Sequence, residues 1–165
     1  MIFLDTSYIN SLIIKNDPYR QYAKNIQPLL EKEAKITNIT VLIEVLNSIS
    51  PYNFFGDVVE LKDYLLNLHD FDFLTDEDYE EAFELFNHYN RSINFSDCTI
   101  LVSMQKHGIG RIASFDADFD KIRGFERIHW EFFFYFKFFD EQKRSKIHNL
   151  YKYQQTYLFL IFILT

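Results

Sequence analysis

Four acidic residues stand where hydrophobic runs meet a turn or a helix: Asp5, Glu44, Asp97 and Asp116. Asp5 follows the apolar run 1–4 and Asp116 follows the run 112–115, so we expect both at the carboxyl ends of short buried strands. Open α/β sheets place their ligand sites at those strand ends. Carboxylates that gather there repel one another unless a cation neutralises them. The pattern therefore predicts an oxygen-ligand metal site, for which Mg²⁺ or Mn²⁺ is the expected ion.

Such a site carries the chemistry of phosphodiester hydrolysis. Mg²⁺ keeps several waters and uses few carboxylates, which leaves positions open to a phosphate oxygen and an attacking water. Two ions about 3.5 to 4 Å apart would stabilise both the attacking and the leaving oxygen. Each acid alone also has a structural interpretation, because Asp5 could cap a helix, Asp97 could favour a helix dipole and Glu44 could be an exposed helix residue. It is the set of four in order that favours a metal site.

Strands and helices must alternate to position these acids. Apolar runs predict strands at 2–5, 35–38, 71–74 and 111–115, and helical periodicity predicts helices after Asp5 and at 18–33, 41–49, 58–68, 76–89 and 97–107. We expect Thr40 and Ser96 to be the N-caps of the helices that carry Glu44 and Asp97. The alternation favours an α/β fold with a parallel sheet, right-handed crossovers and helices on both faces.

Composition limits the remaining possibilities. The chain has 165 residues, 48% of them hydrophobic, which suits one domain with a single core, and its net charge of −7 disfavours a broad basic surface for nucleic acid. The one cysteine, Cys98, excludes an intrachain disulfide and predicts a reducing compartment, with the cytoplasm as the default. The start of the chain does not follow the secretory signal pattern. The final apolar run at 157–164 falls short of the roughly 20 residues that cross a membrane.

The acids lie in four segments whose order is recognisable: IFLDTS at 2–7, EVLN at 44–47, FSD at 95–97 and SFDADF at 114–119. In these segments the chain resembles the PIN-domain ribonucleases, and within them the VapC-type toxins, over about residues 1–129. The resemblance implies a PIN-like three-layer fold, in which helices flank a mainly parallel central sheet. It also implies a metal-dependent endoribonuclease that is the toxin of a toxin–antitoxin pair, with a small antitoxin protein as partner and a homodimer as assembly.

Carried over by position, the resemblance makes Asp5, Glu44, Asp97 and Asp116 the metal-binding and catalytic acids. Asp5 and Asp97 are expected to hold the first ion, and the other two to hold waters, a second ion or the general-base role. The nearby supporting groups are Thr6, Ser7, Ser114 and Asp118. We prefer Asp116 to Asp118 as the fourth acid because it stands at the strand end and fits the family pattern.

Two other functions stay open from the sequence. One is a non-toxic PIN ribonuclease of RNA processing, and the other is a PIN-like module that binds RNA or protein without cutting it. Retention of all four acids counts against the second. If RNA is bound, the basic residues near the third and fourth acids are expected to line its path: Arg91, Arg111, Lys121, Arg123 and Arg127.

The composition changes after residue 129. Residues 130–165 are rich in Phe and Tyr and have no counterpart in the family pattern, so we predict a PIN domain at 1–129 and a C-terminal extension at 130–165. Truncation after His129 is expected to leave the fold and the metal site intact.

Overall fold

The computed structural model describes residues 1–129, so the expected extension at 130–165 lies outside the described residues. Five strands form one sheet in the order β3-β2-β1-β4-β5, and every neighbouring pair is parallel. The predicted α/β class with a mainly parallel sheet is confirmed. The strands are β1 (Ile2–Leu4), β2 (Lys35–Asn38), β3 (Asp70–Asp72), β4 (Arg111–Ala113) and β5 (Glu126–Ile128).

Helices fill the connections between the first four strands, as the predicted flanked sheet requires. A short 3₁₀ helix, Ala117–Lys121, joins β4 to β5. None of the helices in residues 1–129 has the length and hydropathy that a bilayer crossing requires. The α-helices are α1 (Thr6–Ile13), α2 (Arg20–Leu30), α3 (Ile39–Ser48), α4 (Val58–Leu66), α5 (Asp76–His88) and α6 (Phe95–Lys106).

The middle of the sheet is covered on both faces. Consecutive side chains of a strand point to opposite faces. All three residues of β1 are buried, and in β4 Ile112 and Ala113 have no exposed surface. Strands that are buried on both faces form the rigid centre of a parallel sheet. The residues that follow β1 and β4, among them Asp5 and Ser114, therefore leave the sheet from a fixed edge.

Helix α6 runs through the core, and it carries Asp97. Every residue from 97 to 104 is buried, including the predicted apolar stripe of Ile100, Leu101 and Met104. At its C-terminal end, the Lys106 ammonium lies 3.0 Å from an oxygen of Asp72 and 2.8 Å from one of Asp78. Burial alone would raise the pKa of Asp78, but hydrogen bonds from Lys106 and Thr75 hold it below its ordinary value. These two ion pairs fix α6 to β3 and to α5.

The N-caps of the two acid-bearing helices differ from the prediction. Helix α3 is capped by Asn38, whose Oδ1 accepts the Val41 N–H at 3.0 Å, while Thr40 lies inside the helix. Helix α6 begins at Phe95 after Asn94, so Ser96 is its second residue. Asn, Ser and Thr are all good N-caps. Where two such residues stand two positions apart, as Asn38 and Thr40 do, propensity alone does not decide which of them begins the helix.

The end of the described chain contains elements that periodicity did not predict. Strand β5 has only three residues, two of them charged, and so lacks an apolar run. It forms because its backbone pairs with β4, with Arg111 opposite Glu126 and Ala113 opposite Ile128. The preceding 3₁₀ helix buries Phe119 beside this edge of the sheet. Strand β5 is therefore determined by its pairing with β4 and not by an apolar pattern of its own.

Candidate metal centre

Asp5 is held where β1 passes into α1. It is the N-cap of α1, and its Oδ2 accepts hydrogen bonds from the N–H and the hydroxyl of Ser7 and, at 2.7 Å, from the hydroxyl of Ser114. Burial raises the pKa of Asp5, and the hydrogen bonds from Ser7 and Ser114 act in the opposite direction. One carboxylate oxygen is thus committed to orienting the side chain.

The two serine hydroxyls that contact Asp5 also join β1 to the segment after β4. The Ser7 hydroxyl accepts the Phe115 N–H at 2.8 Å, and the Ser114 hydroxyl accepts the Asp116 N–H at 2.9 Å. The two hydroxyl oxygens are 3.2 Å apart. The Ser7 hydroxyl thus links the Asp5 carboxylate to the N–H of Phe115, and the Ser114 hydroxyl links it to the N–H of Asp116. The positions of the first and fourth acids are therefore coupled.

Asp97 lies in the first turn of α6, with its side chain buried. Its Oδ2 is buried without a hydrogen-bond partner among residues 1–129. Burial, together with the negative charges of Asp5, Asp116, Glu44 and Asp118 in that order of size, raises the pKa of Asp97 to about 7. A buried carboxylate oxygen that faces other carboxylates is costly unless a cation lies against it.

Asp97, Asp116 and Asp118 each present a carboxylate oxygen, and these three oxygens lie within 4.8 Å of one another. Asp116 caps the 3₁₀ helix, and its Oδ1 accepts the Asp118 N–H at 2.8 Å. Asp118 has a cation of its own, since the Lys121 ammonium lies 2.6 Å from its Oδ1. The structure therefore places both of the acids between which the sequence left a choice at one cluster, in different electrostatic settings.

Glu44 approaches the cluster from the middle of α3. Its Oε2 accepts a hydrogen bond of 2.6 Å from the hydroxyl of Thr6, the residue next to Asp5. Its charge is among those that raise the pKa of Asp97. The structure thus brings together all four acids that the sequence singled out, and it places Thr6, Ser7, Ser114 and Asp118 in contact with them.

Asn38 positions the site, and sequence analysis did not find it. Its fully buried Nδ2 donates to the backbone oxygen of Thr99 at 3.3 Å and to the hydroxyl of Ser103 at 3.1 Å. These bonds fix the start of α3, which carries Glu44, against α6, which carries Asp97. The sequence feature that indicates this role is an Asn directly before an apolar helix, whereas the predicted N-cap was Thr40.

Among the predicted RNA-contact residues, Arg111 does not join the acids. It begins β4, three residues before Ser114 and so roughly 10 Å down the strand at about 3.3 Å per residue. Its guanidinium lies 2.7 Å from Glu33 and 3.3 Å from Glu126. Nearness in sequence to Asp116 does not place Arg111 beside it, because the first and last residues of a strand lie at opposite ends of that strand.

The other four basic residues remain compatible with the site. Lys121 contacts Asp118 directly, and its ammonium also donates to the backbone oxygen of Ser92 at 3.1 Å. Arg127 forms a bidentate ion pair with the carboxylate of Asp120. Both remaining arginines of the predicted set, Arg91 and Arg123, are exposed.

The donor set fits a hard divalent cation. The clustered ligand atoms are all carboxylate oxygens, which suit Mg²⁺ or Mn²⁺, and the unpartnered Asp97 Oδ2 lacks the hydrogen bond that a buried oxygen normally has. Asp97, Asp116 and Asp118 could contact an ion directly, with Asp5 and Glu44 beside them. A bound ion would polarise a phosphate oxygen and lower the pKa of a bound water.

Comparison with known proteins agrees with this architecture. Residues 2–124 match the PIN domain family model, so the chain belongs to the PIN-domain family. Among solved structures it is similar to Mycobacterium tuberculosis VapC20, a sarcin–ricin loop cleaving toxin, with a TM-score of 0.67 and 27% identity over 78% of this chain and 99% of that chain. A search of curated protein sequences gave no match. The resemblance to PIN-domain ribonucleases of the VapC type, which the sequence predicted, is confirmed.

Proposed function

We propose that the chain is a metal-dependent endoribonuclease that hydrolyses RNA phosphodiester bonds with Mg²⁺ or Mn²⁺, and that it acts as the toxin of a toxin–antitoxin pair. The observation that carries the proposal is the buried, unpartnered Asp97 oxygen among four other carboxylates. Membership of the PIN-domain family and similarity to a ribosomal-loop cleaving toxin support it. What distinguishes this oxygen from the buried Asp72 Oδ2, which also has no hydrogen-bond partner among residues 1–129, is that Asp72 is paired with Lys106 whereas Asp97 is surrounded by carboxylates.

The roles within the site follow from the hydrogen bonds. Asp97 would contact the ion through the oxygen that has no hydrogen-bond partner among residues 1–129, and Asp5, oriented by two serines, would add its negative charge from beside the cluster. Among residues 1–129 no basic side chain pairs with Asp116 as Lys121 does with Asp118, so Asp116 is better suited to contact the ion or to accept a proton from water. Glu44, oriented by the Thr6 hydroxyl, would hold a water or assist as general base.

Substrate and partners are proposed from the relative and from the surface. VapC20 cleaves the sarcin–ricin loop, so we propose a structured RNA loop as the substrate class, in the cytoplasm. Tyr52, Phe55 and Val59 are strongly exposed around the connection between α3 and α4. Exposed apolar surface of this kind supports a protein partner, for which we propose a small antitoxin, and a homodimer as the assembly.

The enzymatic proposal is tested by incubating the purified protein with a hairpin RNA of the sarcin–ricin loop sequence and with unstructured RNA. We expect cleavage with Mg²⁺ or Mn²⁺, loss of cleavage on addition of a chelator, and recovery when excess metal is restored. Cleavage that continues undiminished in excess chelator would refute the metal-dependent mechanism. The toxin role has a separate test, since induced expression should arrest growth and Asp97→Asn should relieve the arrest.

The exposed Arg123 and the paired Arg111 provide a matched test of the RNA path. Arg123→Ala should weaken RNA binding and reduce the slope of log affinity against log salt by about 1, because one phosphate contact is lost. Arg111→Ala also removes one positive charge, but at the N-terminal end of β4, away from the acids, where its partners are Glu33 and Glu126. The salt slope of that variant should match the wild type. Equal slopes for all three proteins would show that Arg123 does not contact RNA.

A further inference from the structure

An aromatic pair is connected to the acid cluster through the backbone. Phe115 stands between Ser114 and Asp116, and its N–H donates to the Ser7 hydroxyl that contacts Asp5. The Tyr19 ring is stacked on the Phe115 ring, with centroids 4.9 Å apart and an interplanar angle of 5°. Since consecutive Cα atoms are about 3.8 Å apart, Phe115 ties this stack closely to Asp116.

The two rings of the pair differ in exposure. Phe115 is 8% exposed and is also contacted by the buried Tyr8 ring at 6.4 Å, whereas Tyr19 is 42% exposed. Parallel stacking covers one face of the Tyr19 ring. Phe115 therefore supports one face of a ring whose residue is substantially exposed.

The backbone around Tyr19 is fixed. The Tyr19 N–H donates to Asp17 Oδ1 at 2.8 Å, and Tyr19 is the N-cap residue of α2. The next residue, Arg20, donates from Nη1 to the backbone oxygens of Leu12 and Ile14, both at 3.0 Å. A ring that is already held in place loses little conformational entropy when a ligand stacks on it.

We propose that Tyr19 is a base-stacking residue, on which one unpaired nucleobase of the RNA lies while a neighbouring phosphate reaches the acids. The inference rests on the proposed ribonuclease function and adds a subsite to it. Single-stranded loops are commonly bound through splayed bases that stack on aromatic side chains, and every base offers a π face. Stacking adds affinity without basic residues, which suits a chain with a net charge of −7.

Steady-state cleavage of the RNA that the wild type cuts tests the proposal. Tyr19→Ala should raise KM about 5- to 150-fold, the range for loss of one base–aromatic stack, and leave kcat within a few-fold. Tyr19→Phe should behave as the wild type, because the ring and not the hydroxyl is used. If Tyr19→Ala does not fold, Tyr19→Leu keeps most of the volume and should show the same loss.

Tyr79→Ala is the matched control. Tyr79 has a similar exposure of 38%, and it follows Asp78, which contacts Lys106 at the end of α6 roughly 13 Å from Asp97 at 1.5 Å per residue. This variant should cleave as the wild type. A loss equal to that of Tyr19→Ala would show a general effect of removing surface tyrosines.

Abasic RNA identifies the stacked base. Removing single bases in turn should weaken wild-type cleavage strongly at one position, and at that position the loss should vanish in Tyr19→Ala, because two changes to one contact are not additive. The proposal is overturned if Tyr19→Ala cleaves as the wild type, if Tyr19→Phe loses as much as Tyr19→Ala, or if base removal is additive with Tyr19→Ala at every position.

Binding of the same RNA set in chelator separates the two proposals. If the wild type cleaves nothing, the ribonuclease proposal fails, but dependence of binding on Tyr19 and on one base still decides the stacking proposal. Unchanged RNA binding combined with weakened binding of a protein partner would assign Tyr19 to a protein interface instead.

Discussion

Asp97→Asn is expected to abolish RNA cleavage and, in metal-free protein, to raise the free energy of unfolding. The ion would lose its one buried, unpartnered ligand oxygen. Because metal stabilisation of transition-state charge is worth several kcal/mol, the rate should fall on the order of 10³-fold or more. Without metal, the same substitution removes a buried charge that is repelled by its neighbours, and we expect a gain of about 1 to 3 kcal/mol.

The gain should depend on pH in a defined direction. The pKa of Asp97 is raised from 3.8 to about 7, so between these values the folded protein binds a proton that the unfolded chain has released. Wild-type stability from this group therefore falls as the pH rises from about 4 to about 7. The difference between Asp97→Asn and wild type should grow across that interval and level off above it, as measured by urea unfolding in chelator.

Glu80→Gln is the control for Asp97→Asn, because it removes one charge from an exposed position on α5. It should leave cleavage unchanged and stability within about 0.5 kcal/mol. Mg²⁺ should raise the melting temperature of the wild type and of Glu80→Gln, since an ion that binds only the folded state stabilises it. It should have little effect on Asp97→Asn. An Asp97→Asn variant that is less stable than wild type in chelator would contradict the electrostatic description of the site.

The second large effect is expected at Asp5, where both substitutions should abolish cleavage but only one should cost much stability. Asp5→Ala removes the N-cap of α1 and the acceptor of the Ser7 and Ser114 hydrogen bonds. Loss of an N-cap costs about 0.5 to 2 kcal/mol, and the additional bonds bring the expected total to about 2 to 3 kcal/mol. Asp5→Asn keeps one oxygen for the same donors and should lose much less.

Comparison of Asp5→Ala with Asp5→Asn therefore separates positioning from charge. Cleavage of hairpin RNA and urea unfolding of both variants give the result. Retention of cleavage by Asp5→Asn would show that Asp5 only holds the β1 and β4 ends together. Equal stability of the two variants would show that the hydrogen bonds to Ser7 and Ser114 contribute little.

The sequence pattern predicts the convergence of the acids where the topology of the sheet determines their position. Asp5 and Asp116 follow apolar runs, and parallel strands bring their carboxyl ends to one edge, so their meeting could be inferred from pattern alone. Asp97 stands near a helix N-terminus that meets the same edge, and Glu44 is expected to project from its helix toward that point, while the roles of the acids come from the family resemblance. The parallel direction of the strands followed from the alternation of strands and helices, whereas their order in the sheet was not predicted.

The remaining features depend on contacts between distant residues, which periodicity does not encode. Asn38 matters because it bonds to Thr99 and Ser103, which are 61 and 65 residues away. Arg111 lies away from the acids although it is close to Asp116 in sequence, because sequence distance does not show which end of a strand a residue occupies. The stacking of Tyr19 on Phe115 joins segments from opposite ends of the domain and leaves no periodic signal.

Anomalous X-ray scattering from crystals grown with Mn²⁺ tests the central claim most directly. The claim is that Asp97, Asp116 and their neighbouring carboxylates hold a divalent cation. We predict an anomalous peak about 2.0 to 2.2 Å from an oxygen of Asp97, with a second ligand from Asp116 or Asp118, and no such peak in crystals of Asp97→Asn. Absence of manganese at this cluster, at a concentration that saturates RNA cleavage, would contradict the account.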